Sequence, residues 1–568
     1  MSALVGRRVG RRVYLRETKR RNKDGSTVRY LQLAHSYRDP ETGVSKPQII
    51  HNFGRAENVD KDGLRRLIRS IARELDPADE AAALAGDDVE VVEARDLGGA
   101  WVLDRLWRRL GIDAAIRKVA AGRRIDAEKV ERVLFGLVAG RALAPSSKLE
   151  ACRWIADEVH IDGLEEVDSD SCYRAMDFLL DALGDLQESI FFSVADLLQL
   201  DVDVLFFDTT STYFEIELGD DHHDDEDVED PFRVHGHSKD HRDDRPQIVI
   251  GMAVTRGGIP VRLWVWPGDA SDHNVVEQVK ADLAGWELNR LVWITDSGFN
   301  SSENRQILQR GGSGFIVAER LRSRGHEVAE ARGRPGRCRQ IDDSLEVKEI
   351  WVGEGINAQR FVMCRNRQVA ERDAAIRDRL VELLAERING SDGLSNTKRA
   401  ELRGRLREKP GLNRNLRVTA SGLLRVDRAK IADEERLDGK FLLRTSDPSI
   451  PAEDVARGYK ALADVERGFR DLKQLDLRPV YHRLRHRIIA HVQLCWLALL
   501  LVRVIENAVG DTWRNIATEL DRIQLVTLAT SEGTVAQRSM LRRRQCEILT
   551  ALQLDEPPRY YDFAPTGF

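Results

Sequence analysis

The sequence has few cysteines, and none of them stands in a close pair. Its six cysteines lie at positions 152, 172, 338, 364, 495 and 546 of 568 residues. The absence of CxxC spacing argues against a structural zinc site, and the scattered positions argue against a disulfide framework. The cysteine pattern therefore fits a protein of the reducing cytoplasm.

A long uncharged hydrophobic run is also missing. The most apolar segment, residues 488–505, contains His491, Gln493 and Arg503, which favours a buried core helix over a membrane span. No secretory signal is visible at the amino terminus. With 42% hydrophobic and 32% charged residues, the chain is predicted to be soluble, to have two to four domains and to have no membrane partner.

The chain lacks an overall excess of positive charge but has a local one. The net charge is −6, yet residues 1–75 carry about ten more positive than negative charges, and residues 215–230 contain no Lys or Arg. Such segregation suits phosphate binding. Short strands are predicted within residues 1–60 and a helix over residues 63–75. The alternative for this segment is a small solvated β-domain. The DNA-binding candidates here are Arg11, Arg12, Lys19, Arg20 and Arg21.

Two aspartates directly follow apolar segments that are typical of buried strands. Residues 202–215 (VDVLFFDTTSTYFE) turn polar at Asp208, and residues 291–304 (LVWITDSGFNSSEN) turn polar at Asp296. Acids at the carboxyl ends of strands lie where open α/β sheets bind their ligands. An isolated aspartate could equally cap the turn that follows it.

A third acid lies on a predicted helix. Tyr459, Glu466 and Lys473 are spaced seven residues apart within residues 458–482. Seven residues are close to two helical turns, so the three side chains share one face, which Arg470 joins. An exposed helix with ordinary charge pairs is the alternative. Added to the two aspartates, however, the glutamate supplies a third hard oxygen donor of the kind that Mg²⁺ prefers.

The segments between the two aspartates fit one mixed sheet. Residues 246–268 predict two strands joined by a tight turn, and residues 271–286 predict a helix with Ser271 or Asp272 as its N-cap. A further short strand follows the second aspartate. The predicted order of strand, hairpin, helix, strand, helix and strand is that of a ribonuclease H-like core.

With these residues in place, the chain resembles DDE transposases of bacterial insertion sequences, in the group marked by a Tyr-x2-Arg-x3-Glu-x6-Lys signature. Tyr459, Glu466 and Lys473 match this signature. Leu462 stands where the signature has arginine, and Arg467 or Arg470 could substitute for it. Further similar strings are residues 142–157, 235–254, 258–272, 437–446 and 478–492.

The resemblance implies the chemistry of the site. Asp208, Asp296 and Glu466 would be the catalytic metal ligands, with Mg²⁺ as the cofactor and Mn²⁺ as an alternative. Two ions astride the scissile phosphate would serve both hydrolysis at the element end and transesterification into target DNA. Trp351 would stack on a flipped base, unless it is an ordinary buried tryptophan. The candidates for positioning DNA or phosphate are Tyr459, Lys473, Arg467, Arg470, Lys239 and Arg242.

The expected architecture is α/β, with five parts. These are a basic N-terminal β/α DNA-binding domain (1–80), a helical bridging region (95–200), a ribonuclease H-like mixed-sheet core (201–320 and 441–510), a mostly β insertion before the glutamate helix (321–440) and a C-terminal helical tail (511–568). The expected function is a DNA transposase of the bacterial cytoplasm and nucleoid. It would bind terminal inverted repeats and target DNA as a dimer. The alternatives are a non-catalytic transposase-derived DNA-binding protein and a metal-dependent nuclease without strand transfer.

Overall fold

Two compact units make up the chain in the computed structural model. One comprises Met1–Val92, Leu528–Val535 and Asp562–Phe568, and the other comprises Glu93–Thr527 and Ala536–Tyr561. The structure describes residues 13–21, 27–38, 45–60, 89–199, 203–220, 231–286, 288, 291–323, 325–355, 358–477, 482–530 and 533–565.

The first unit contains an antiparallel sheet of three strands in chain order. The strands are β1 (Val13–Arg21), β2 (Thr27–Arg38) and β3 (Ser45–Arg55). They lie within residues 1–60, where short strands are predicted. The helix predicted over residues 63–75 lies outside the described residues.

Helices form most of the segment between residues 90 and 200. After strand β4 (Glu90–Asp96) come α1 (Gly98–Arg109), α2 (Ile112–Ala121), α3 (Ala127–Leu143), α4 (Lys148–Arg153), α5 (Ser169–Asp181) and α6 (Leu183–Leu197). Apolar residues at helical spacing, such as Leu103, Leu106 and Trp107 of α1, are buried in the largest core. The helical arrangement predicted for this region agrees with these elements.

The central elements alternate strands and helices. They are β5 (Val204–Tyr213), β6 (Gln247–Val254), β7 (Pro260–Pro267), α7 (Val275–Ala284), β8 (Val292–Thr295), α8 (Ser302–Gln309) and β9 (Gly314–Glu319). These strands belong to a nine-stranded sheet of order β10-β11-β12-β15-β9-β8-β5-β6-β7. Within it, β5, β8 and β9 run parallel, whereas β6 is antiparallel to both β5 and β7. The sheet is therefore mixed.

The continuous apolar character of β5 follows from burial on both faces of the sheet. Phe206 contributes to the core that also contains the helical region, whereas Phe207 contributes to a second core with α7 and α8. A strand covered on both sides has no solvent-facing positions to make polar. Asp208 marks the end of this apolar run.

The segment from 321 to 440 contains more helix than the mostly β expectation. Its elements are α9 (His326–Gly333), β10 (Arg339–Gln340), β11 (Leu345–Val352), β12 (Gln359–Asn366), α10 (Arg367–Ile388), α11 (Asn396–Arg407), α12 (Pro410–Arg414), β13 (Leu416–Val418), β14 (Leu424–Val426) and α13 (Arg428–Glu435). Strands β10 to β12 extend the central sheet, because β12 pairs with the strand β15 (Lys440–Thr445). Only the short β13–β14 hairpin forms a separate sheet among the described strands of this segment.

The remaining elements complete the chain. They are α14 (Ala452–Lys460), α15 (Ala463–Leu472), α16 (Arg485–Val509), α17 (Trp513–Leu520), β16 (Gln524–Thr530), β17 (Gly533–Arg538), α18 (Arg543–Ala551) and β18 (Tyr560–Pro565). The segment after residue 510 thus differs from the helical tail expected there, since it also contributes three strands to a sheet of order β18-β17-β16-β4.

Helix α16 is long and apolar enough to cross a membrane, but it is enclosed by protein. Of its most apolar stretch, 94% is buried within the structure. His491, Gln493 and Arg503 are buried with it, and Gln493 lies within 3.0 Å of the amide nitrogen of Gln187. Burial of this kind supports the predicted core helix.

Candidate active site

Asp208 and Asp296 lie at the same level on neighbouring parallel strands. Asp296 directly follows the last residue of β8, as predicted, but Asp208 is the fifth of the ten residues of β5, so the prediction that it ends its strand is wrong. Strand β5 continues past Asp208 because its next five residues stay paired with β6. Phe207 of β5 pairs with Thr295 of β8. Asp208 and Asp296 are the residues that directly follow this pair. Asp296 retains an extended backbone after β8 ends. Neighbouring strands are about 4.8 Å apart, and side chains at one level of a sheet point to the same face. The two carboxylates therefore lie on one face of the sheet, at the edge where β8 ends.

Helices α14 and α15 approach this face closely through two glycines. A Cβ atom on Gly468 would lie 2.8 Å from the terminal methyl group of Met252, which is the register partner of Asp208. A Cβ atom on Gly458 would lie 3.1 Å from Cδ1 of Ile294. Because glycine has no Cβ, both helices can lie directly against the strands that lead to the aspartates.

Tyr459 connects α14 to the second aspartate. Its hydroxyl group donates a hydrogen bond of 3.2 Å to Oδ1 of Asp296. Burial, together with the negative charges of Asp296, Glu466 and Asp208, raises the pKa of Tyr459 above its ordinary value. Glu466 itself is exposed on α15. The tyrosine hydroxyl thus lies in the field of all three predicted catalytic acids.

A lysine amino group lies against the first aspartate. Nζ of Lys239 is 3.6 Å from Oδ1 of Asp208 and 3.3 Å from Oδ2 of Asp272. It also donates hydrogen bonds to the carbonyl and hydroxyl oxygens of Thr209, at 2.8 and 2.6 Å. Lys239 was predicted to contact DNA, and here its charge is directed at carboxylates.

The ionisation of Asp208 reflects these surroundings. Burial raises the pKa of Asp208 to about 6, and the Lys239 ammonium group opposes this shift. The negative charges of Asp272 and Asp296 contribute to this raised pKa. Asp208 is consequently mostly ionised at neutral pH, and it becomes protonated as the pH falls below about 6.

Lys473 forms an ion pair within the chain. Its Nζ donates a hydrogen bond of 2.8 Å to Oδ1 of Asp240. Asp240 follows Lys239, whose backbone N–H donates to Oγ of Ser211 on β5 at 2.8 Å. The segment around residues 238–245 therefore joins the end of β5 to the lysine of the Tyr–Glu–Lys signature.

The helix that carries this signature is not continuous. A single helix face was predicted, but α14 and α15 are separate, and Lys473 begins a π-helical turn, Lys473–Leu477. Ala461 and Leu462 between the two helices keep right-handed helical backbone angles. Leu462, which replaces the signature arginine, is only 5% exposed and packs in the core.

The other predicted DNA contacts lie at separate places. Arg467 and Arg470 line a cavity of about 930 Å³ beside α16 and α17, together with Asp471, Arg503 and Arg514; none of the three acids lines it. Arg242 forms an ion pair with Asp244 at 2.8 Å, and its guanidinium group lies 4.8 Å from the ring centre of Tyr213.

Two further predictions concern exposed positions. Trp351 on β11 is 45% exposed, which contradicts the alternative of an ordinary buried tryptophan. Its Nε1 donates to Oε1 of Glu349 at 3.2 Å. Of the N-terminal cations, Lys19, Arg20 and Arg21 are exposed on β1, whereas Arg11 and Arg12 lie outside the described residues.

Sequence reasoning missed the role of Asp272. It was a candidate N-cap, but Asn274 is the N-cap of α7, and Asp272 instead accepts a hydrogen bond from the Thr209 hydroxyl group. A signal for this placement was present. Strand β7 runs in the same direction as β5, so an acid shortly after β7 returns to the edge that carries Asp208.

Comparison with known protein families shows which family the chain belongs to. Residues 201–505, more than half of the chain, match the transposase DDE domain. The chain belongs to the DDE transposase family. This membership confirms the resemblance to DDE transposases of bacterial insertion sequences. It also makes the chain a transposase enzyme of the type that depends on a divalent metal ion.

Two further comparisons gave a match. Residues 15–82 match the N-terminal domain of IS1634 family transposases. A solved structure of the piggyBac transposase synaptic complex with hairpin DNA is similar over 75% of this chain and 79% of that chain, at 9% identity and a TM-score of 0.33. No curated protein matches this DDE transposase.

The carboxylates of Asp208, Asp296 and Glu466 are suitable ligands for a hard divalent cation. Among the described residues, no three His, Cys, Asp or Glu side chains are grouped closely enough to hold one metal ion. Carboxylate oxygens are nevertheless the ligands that Mg²⁺ and Mn²⁺ favour. The ammonium group of Lys239 beside Asp208 already places a positive charge against this carboxylate.

Proposed function

We propose that this DDE transposase cleaves the ends of its insertion sequence and joins them to target DNA, with Asp208, Asp296 and Glu466 as the catalytic metal ligands and Mg²⁺ as the metal. The observation that carries the proposal is the register of β5 and β8, which sets the two aspartates side by side. The charge of Glu466 acts on the same tyrosine hydroxyl group as theirs, which supports a shared site.

The catalytic core in this proposal is ribonuclease H-like. The order β7-β6-β5-β8-β9, with an antiparallel hairpin beside parallel strands, supports this assignment. We further propose that residues 201–320 and 441–510 form the core and that residues 321–440 are an insertion. Residues 1–80 would bind the element ends, and residues 95–200 would connect this module to the core.

The mechanism assigns a task to each side chain of the site. Tyr459 stays protonated because its pKa is raised, so it donates to Asp296 and orients this carboxylate rather than acting as a nucleophile. Lys473 exchanges Asp240 for a DNA phosphate and holds the scissile bond in place. The chemistry that bound Mg²⁺ supplies is activation of the attacking hydroxyl group and stabilisation of the departing 3′-oxygen.

Several DNA contacts belong to the same proposal. Lys19, Arg20 and Arg21 are exposed on β1 and would bind the phosphates of the terminal inverted repeat. The half-exposed ring of Trp351 would stack on a base near the cleavage point. Two element ends have to meet, so we propose a dimer on DNA, acting at the bacterial nucleoid.

The direct test combines purified protein, Mg²⁺, labelled element-end DNA and a plasmid target. Nicked ends and ends joined to the plasmid are expected, and the Glu466→Gln variant should yield neither. Cleavage without joining would favour the nuclease alternative. Binding without either product would favour the non-catalytic one. Cleavage that persists in Glu466→Gln would overturn the site assignment.

The ion pair between Lys473 and Asp240 predicts a variant that binds DNA more tightly than the wild type. Replacing Asp240 by Asn should tighten binding of element-end DNA two- to fivefold, since a partly exposed ion pair is worth up to about 1 kcal/mol and its loss removes a carboxylate that competes with phosphate for the lysine. Fluorescence anisotropy would measure this change. Adding Lys473→Met to the variant should abolish the gain, and weaker binding by Asp240→Asn alone would contradict the account.

A further inference from the structure

Asp272 is a fourth carboxylate at the edge of the sheet that carries Asp208. It lies in the connection between β7 and α7 and is partly buried. The hydroxyl group of Thr209, the residue after Asp208, donates a hydrogen bond to its Oδ1. Its Oδ2 is also so near Gly298 that a Cβ atom there would approach it to 2.9 Å. Asp272 therefore lies against the residues that closely follow Asp208 and Asp296 in the sequence.

Asp208 and Asp272 share one cation. The ammonium group of Lys239 is 3.3 Å from Asp272 and 3.6 Å from Asp208, so the lysine is slightly nearer the carboxylate outside the proposed metal site. A divalent ion that binds Asp208 has to share it with this ammonium group or displace it. A second carboxylate within reach can retain the lysine while Asp208 binds the metal.

We propose that Asp272 is a positioning residue that retains Lys239 and Thr209 and so keeps the Lys239 ammonium group from competing with a divalent metal ion for Asp208. The inference rests on the proposed function, because it takes Asp208 as a metal ligand. Without the charge of Asp272, the lysine retains Asp208 as its carboxylate partner in the site. Metal binding then has to break the Lys239–Asp208 ion pair while no second carboxylate is present to pair with the lysine.

The test is a titration of the full-length protein with Mn²⁺ in the absence of DNA. Electron paramagnetic resonance of the free ion measures how much Mn²⁺ the protein binds. Outer-shell substitutions typically weaken metal binding 10- to 100-fold. Asp272→Asn, which keeps the size of the side chain and an acceptor for Thr209, should weaken binding of Mn²⁺ by about this factor. The matched control is Asp269→Asn, an exposed aspartate in the same connection, and it should bind Mn²⁺ like the wild type.

The double variant Asp272→Asn with Lys239→Met separates positioning from direct ligation. If Asp272 acts through the lysine, removal of the lysine should restore binding to within about threefold of the wild type. Restored binding would also show that chains with Asp272→Asn fold. Binding that stays weak in the double variant, or Asp272→Asn that binds like Asp269→Asn, would overturn the inference.

Asp208→Asn in the same titration distinguishes failure of the role proposed for Asp272 from failure of the proposed metal site. Loss of tight Mn²⁺ binding in this variant, with wild-type binding in Asp272→Asn, would overturn only the role of Asp272. Unchanged Mn²⁺ binding in Asp208→Asn would overturn the proposed metal site together with the inference.

Discussion

Replacing Asp208 by Asn is expected to slow DNA-end cleavage and strand joining alike, each by roughly a thousandfold. Bound metal stabilises a phosphoryl-transfer transition state by several kcal/mol, and each 1.36 kcal/mol is a factor of ten in rate. Both steps should lose the same factor because one site serves both. Asp208 sits at the level of Asp296 in the β5–β8 register, so the same loss is expected for Asp296→Asn.

Binding and a matched control make this prediction specific. The affinity for element-end DNA should stay within about twofold of the wild type, since basic residues elsewhere supply most of it. Asp203 lies just before β5, five residues from Asp208, and is exposed in an ion pair with Arg256. Asp203→Asn should therefore cleave and join normally in single-turnover assays. Equal losses in Asp203→Asn and Asp208→Asn would indicate a general effect on the sheet and contradict the site.

Restoring the arginine of the family signature is expected to harm the protein. Leu462 is 5% exposed and packs in the largest core, so Leu462→Arg removes a buried side chain and buries a charge in its place. Loss of a buried leucine alone costs about 2–5 kcal/mol, and an unpaired buried charge costs more. The unfolding temperature should fall by roughly 5–10 °C, measured by differential scanning fluorimetry.

The control for this substitution is Lys460→Arg, which introduces the same side chain at an exposed position two residues earlier. It should leave the unfolding temperature within about 1 °C of the wild type. An unchanged unfolding temperature in Leu462→Arg, with higher activity, would mean that the site accepts the signature arginine after all. The expected result instead means that position 462, at the junction of α14 and α15, requires an apolar side chain for core packing. A cation that replaces the signature arginine would then have to come from another position.

The two aspartates were predictable because burial of a strand on both faces of the sheet produces a continuous apolar run in the sequence. Four buried residues precede Asp208 on β5 and four make up β8 before Asp296, so the acids stand out where each apolar run stops. The sequence does not indicate the register in which β5 and β8 pair. That Phe207 lies opposite Thr295 depends on how the strands pair, and adjacency of the carboxylates follows only from this pairing.

The charged residues around the aspartates were less predictable, for a different reason. Lys239 and Arg242 look alike in the sequence, as basic residues of one polar segment. In the folded chain Lys239 faces Asp208 and Asp272, while Arg242 pairs with Asp244 two residues away. The contact between Thr209 and Asp272 spans 63 residues, and no local pattern of charge or spacing indicates it. Periodicity likewise predicted one helix face through Tyr459 and Glu466 but could not show the junction at Leu462.

Anomalous diffraction from the Mn²⁺-soaked protein bound to element-end DNA tests the central claim most directly. A manganese peak is expected within about 2.5 Å of carboxylate oxygens of both Asp208 and Asp296, with Glu466 directed at the same metal centre. The peak should disappear in Asp208→Asn. A manganese peak that contacts neither aspartate, or one that persists unchanged in Asp208→Asn, would contradict the account.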